Sequence, residues 1–103
     1  MATASRHRIA SAPELPTVAE SGYPNYDAEV WFGLVAPAKT PAETISQLAD
    51  WFGAALATAS VKEKLALQEM YPAGTCGADF AAYLRHQFDD YARVIREADI
   101  KAE

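Results

Sequence analysis

At 103 residues, half of them hydrophobic and 22% charged, the chain has an ordinary globular composition and holds one domain at most. A net charge of -5 excludes the broad positive field that grips a phosphate backbone, so nucleic acid is not an expected partner, and the same charge exerts no long-range pull on a carboxylate. The single cysteine, Cys76, excludes an internal disulfide and any zinc site built on paired thiolates.

Residues 1–11 are small and polar around Arg6, His7 and Arg8, and read as a loose N-terminal arm. No long apolar run follows the basic triplet and none elsewhere reaches membrane-spanning length, so no signal peptide or anchor is expected in this sequence. Residues 12–28 form a connector: Pro13 and Pro16 disfavour helix in the residues before them, Thr17 is placed to cap a single turn, and Gly22 to close it. The run E-V-W-F-G-L-V-A over 29–36 is unbroken in hydrophobicity, carries β-branched and aromatic residues, and stops at Pro37. That pattern predicts a strand buried on both faces, as in a sheet covered by helices on each side.

Three helices should follow, at about 41–58, 60–70 and 77–98. Thr40-Pro41-Ala42-Glu43 has the spacing of a capping box, with Ile45, Leu48, Phe52, Ala55 and Leu56 forming an inner stripe behind it. Ser60-Val61-Lys62-Glu63 repeats the capping spacing, and Tyr71-Pro72-Ala73-Gly74 should end that second helix. The third begins near Cys76 or Gly77, with Asp79 in its first turn, Arg93 and Arg96 near its end, and Phe80, Tyr83, Leu84, Phe88, Tyr91 and Ile95 at steps of three and four. The fold class expected is an α/β fragment, one buried strand followed by three helices.

Chemistry-bearing residues are sparse. His7 and His86 have no second ligand at metal-binding spacing, and the adjacent carboxylates of Asp89 and Asp90 diverge on a helix, where Arg85, Arg93 and Arg96 are their natural partners. Cys76 has a helix N-terminus beside it but no base to serve it, so it is read as a cap residue. The five glycines form no phosphate-binding pattern. No catalytic residue, ligand-binding residue, metal site or cofactor is assigned. Tyr26, Trp31, Phe32 and Trp51 place more aromatic surface around one strand and one helix than three helices readily cover, which predicts self-association, through Val30 to Val35, or a missing partner domain.

Four blocks in order carry a family resemblance: L-P-T-V-A-E-S-G over Leu15–Gly22, W-F-G-L-V-A-P over Trp31–Pro37, the Thr40-Pro41 helix start, and D-F-A-A-Y-L over Asp79–Leu84 leading to R-E-A-D-I-K over Arg96–Lys101. Together they resemble the C-terminal third of the tripartite tricarboxylate transporter solute-binding family, also called the Bug family. The resemblance implies part of a periplasmic-binding-protein-like domain from a two-domain protein that closes on organic acids, typically carboxylates, and presents them to membrane transporter subunits in the periplasm. It implies that Trp31, Phe32 and Gly33 lie in the hinge-crossing or interface segment, with the main ligand loops upstream, so that the organic acid is bound only when that upstream part is present. Where the family usually has Thr or Ser with Pro before the last helix, this sequence has Cys76-Gly77, which should weaken that cap and let the first turn fray. The competing expectation is a small stand-alone self-associating or protein-docking module with no transport role. Neither expectation makes the chain an enzyme.

Overall fold

Prolines and glycines break the first part of the chain and helical spacing governs the rest, and the computed structural model, which describes residues 1–103, follows that division. Two units result, Met1–Thr40 and Pro41–Glu103. The first contains no helix. Its organising feature is an isolated parallel bridge between Thr3 and Thr17. The Thr3 N–H donates to the Pro16 carbonyl at 2.9 Å, the Val18 N–H to the Thr3 carbonyl at 2.9 Å, and the Ala28 N–H to the Ala4 carbonyl at 3.0 Å. The arm expected to be loose is therefore hydrogen-bonded to the connector at both Thr3 and Ala4.

Thr17 is 1% exposed, and no other side chain in the protein is fully buried. It starts the expected turn: the Glu20 N–H donates to Thr17 Oγ1 at 3.1 Å, while the Thr17 N–H donates to Glu20 Oε2 at 2.8 Å. This is a reciprocal capping box, and the Ser21 N–H bond to the Thr17 carbonyl at 3.1 Å closes one α-turn behind it. Gly22 follows at φ 114°, a left-handed conformation that a side chain would strain.

The buried strand expected over 29–36 does not form. The segment has no ladder, and Val30, Phe32, Leu34 and Val35 are exposed, Phe32 at 81%. The physical reason lies in the rest of the chain: a strand buried on both faces needs neighbouring strands for its peptide groups and covering layers for its side chains, and the only β pairing here is the single Thr3–Thr17 bridge.

The second unit holds three helices: α1 (Ala42–Ala57), α2 (Ala59–Ala66) and α3 (Gly77–Glu97). Their starts differ from the capping pattern read in the sequence. Pro41, with ψ 138°, is the last non-helical residue before α1, which moves Thr40 outside the helix; its hydroxyl donates to the Pro37 carbonyl at 2.7 Å instead of capping. Between α1 and α2 the chain breaks at Thr58 alone, whose hydroxyl donates back to the Ala55 carbonyl at 2.7 Å, so Ser60 lies inside α2 rather than at its cap. Two helix ends close through left-handed residues that are not glycine. After α2, Glu69 at φ 57° lets the Met70 N–H reach the Leu65 carbonyl at 3.0 Å; after α3, Asp99 at φ 49° lets the Ile100 N–H reach the Ile95 carbonyl at 3.0 Å.

α1 packs on α2. No apolar side chain in the protein is fully buried. The accessible surface is 8734 Å², whereas two separately packed bodies of these sizes expose roughly 6,800 Å² together. Apolar side chains share in that exposure, Val30, Phe32, Leu67 and Phe88 among them.

Candidate functional site

Trp31, Phe32 and Gly33 lie on one exposed segment, whereas Trp51 is in α1. Trp31 is 37% exposed, Phe32 is more open and Gly33 is exposed beside it, and Val30, Leu34 and Val35 continue the apolar run to Pro37. This apolar stretch outside any ladder leaves Val30, Phe32, Leu34 and Val35 open for another chain segment to cover, which is the chemistry of strand addition rather than of small-molecule capture.

A second constellation was not anticipated. Arg8 Nε donates to both carboxylate oxygens of Glu20, at 3.2 and 3.0 Å, and Arg8 Nη1 donates to the Pro13 carbonyl at 3.1 Å. Arg8 first, and then the Thr17 N–H, hold the Glu20 carboxyl below the ordinary glutamate range. The signal was present in the T-V-A-E spacing of Thr17–Glu20, which is that of a capping box; the long-range partner, Arg8, had no local signal at all. With Glu20 already bound to its own chain, this arginine is committed to holding the fold.

The adjacent turn, Gly22, Tyr23, Pro24, Asn25 and Tyr26, lines a shallow depression of about 360 Å³. No charged side chain lines it, so it supplies no counter-charge for an organic acid.

The remaining candidates are dispersed. Cys76 is free and exposed at the N-cap of α3, where it makes no side-chain cap bond. The helix enters instead through Gly77 at φ 58°, a conformation open to glycine and costly to other residues. His86 Nδ1 lies 3.4 Å from Asp90 Oδ2, Asp90 Oδ1 lies 3.8 Å from Arg93 Nη2, and Arg93 Nη1 lies 3.4 Å from Glu97 Oε2, a ladder along one face of α3. Asp89, Arg85 and Arg96 take no part in it. His7 is exposed and distant in sequence from His86, and nowhere do three or more His, Cys, Asp or Glu side chains gather.

Comparison with known proteins supplies what the geometry does not. The family described as tripartite tricarboxylate transporter family receptor matches residues 1–100, including the first residues, which hydrogen-bond to the connector. Protein BugT of Bordetella pertussis (strain Tohama I) is 31% identical over 101 residues, covering 98% of this chain and 31% of BugT. The chain thus spans about a third of the length of the curated relative it matches.

Proposed function

Because the chain belongs to the tripartite tricarboxylate transporter receptor family, we propose that it is the C-terminal portion of a periplasmic solute-binding protein that passes organic acids, carboxylates, to the membrane subunits of such a transporter. It does not hold its ligand alone. The observation that carries this reading is the exposed apolar run Val30–Val35, which has no ladder partner in a chain with only one β-bridge. In this reading an upstream part of the receptor supplies the neighbouring strands and the main ligand loops. Trp31, Phe32 and Gly33 then form the segment that crosses the hinge, and the helices serve as scaffold behind it. The function is binding and hand-over rather than catalysis, in keeping with a family described as receptors.

The reading is tested by calorimetric titration of the isolated chain with mono-, di- and tricarboxylates at millimolar concentration. The expected outcome is no saturable heat for any of them. Saturable binding of one acid to this chain alone would show that the ligand site lies within these residues and would overturn the scaffold assignment.

A further inference from the structure

Residues 1–11 read as an arm with no task, yet the backbone of that arm is where the two ends of the connector meet. Toward the start of the connector, the Thr3 N–H donates to the Pro16 carbonyl and the Val18 N–H to the Thr3 carbonyl; toward its end, the Ala28 N–H donates to the Ala4 carbonyl at 3.0 Å. Between Val18 and Ala28 the backbone bonds are short-range, from the Tyr23 N–H to the Val18 carbonyl and from the Tyr26 N–H to the Tyr23 carbonyl. Turns of that kind fix the local path and leave the far end of a connector free to swing. The bond to Ala4 is what places Ala28, and Ala28 stands immediately before the run 29–36.

A side chain fastens the other end of the arm. Arg8 Nε donates to both carboxylate oxygens of Glu20 and Arg8 Nη1 to the Pro13 carbonyl, which closes the chain between residues 8 and 20 on itself. Glu20 passes the constraint on, because its Oε2 also accepts from the N–H of Thr17, whose neighbours Pro16 and Val18 are the residues that grip Thr3. An exposed ion pair adds little as a lone contact, but this one joins two segments and shares its carboxylate with a capping box. We infer that Arg8 and Glu20 are positioning residues: by clasping the arm to the connector they set where the 29–36 segment leaves its anchor, and so tune the affinity of the complete receptor for its organic acid without touching it. A segment that starts from a fixed place needs less ordering when two domains close on a ligand, and ordering subtracts from affinity. The effect on affinity rests on the receptor reading, in which Trp31, Phe32 and Gly33 cross the hinge; the clasp itself does not.

Two measurements separate the clasp from its effect on affinity. In the full chain, amide exchange followed residue by residue by NMR should quicken at Ala28 by about 3-fold or more in Arg8→Ala and in Glu20→Gln, the scale of a lost exposed ion pair, with the amides of α3 unchanged. Glu20→Gln keeps an oxygen for the Thr17 N–H, so it removes the pair and spares the cap. Exchange at Ala28 that neither variant alters would overturn the clasp. The second measurement uses a chimera in which this chain replaces the 31% of BugT that it matches. There Arg8→Ala should raise the dissociation constant of whichever mono-, di- or tricarboxylate the unaltered chimera binds by about 3-fold or more, read well below the melting midpoint so that all of the protein is folded. Arg8→Lys, which keeps a charge facing Glu20, should recover part of the loss, and Arg93→Ala, in α3, should change nothing. An affinity indifferent to Arg8→Ala in a chimera that binds would overturn the positioning role and leave the receptor reading standing. A chimera that binds no acid would strike the receptor reading and the positioning role with it, with the clasp still decided by Ala28.

Discussion

Glu20 shows how much a single residue organises in the first unit. Its carboxylate accepts from Arg8, twelve positions earlier, and from the Thr17 N–H, while its own N–H is held by the Thr17 hydroxyl. Both carboxylate contacts favour the ionised form, so the Glu20 carboxyl titrates below the ordinary glutamate range. A carboxylate depressed in the folded state adds stability above its unfolded pKa, and that contribution is lost as pH falls through the folded value. Arg8→Ala removes the larger cause, so the Glu20 midpoint followed by carboxyl NMR should move upward; an unchanged midpoint would show that the arginine pair is incidental. The half of this network that sequence reading reached was the local half, Thr17 as a cap, because capping depends on neighbours three residues apart. Arg8 was unreadable because nothing in Arg6-His7-Arg8 encodes which distant carboxylate it meets.

At the scale of the element, the helices were legible because a 3.6-residue repeat is written into one segment, and their ends were less so. Thr40 and Ser60 had the right spacing to cap, yet the chain path through Pro41 and Thr58 shifted each helix start and left both hydroxyls without that role. Glu69 and Asp99 hid two helix ends, since a left-handed closing residue is ordinarily announced by glycine. Two glycines make the point experimentally. Gly53 lies inside α1 and Gly77 opens α3 at φ 58°, and a Cβ at either would meet no atom within 4 Å. Space is thus equal and backbone conformation decides. Gly53→Ala should raise helicity and stabilise α1 by about 1 kcal/mol, whereas Gly77→Ala should fray the first turn of α3 at a cost of about 1–2 kcal/mol. Circular dichroism under denaturant checks both, and equal shifts of the same sign would contradict the assignment of Gly77.

Across the whole molecule, the strand over 29–36 marks where a sequence stops being informative about its own structure. Its hydrophobic run has the composition of a strand covered on both faces, but strand pairing is a property of two segments, and this chain provides only one. The family match over residues 1–100, with 31% of BugT spanned, gives the pattern a context: residues read as core meet water in this chain and find their partners in the larger protein under the receptor reading. The direct measurement is made on a chimera in which this chain replaces the 31% of BugT that it matches, titrated with mono-, di- and tricarboxylates beside BugT itself and the isolated chain. The account predicts saturable binding of at least one acid by the chimera and none by the isolated chain. A folded chimera that binds none of these acids would contradict it.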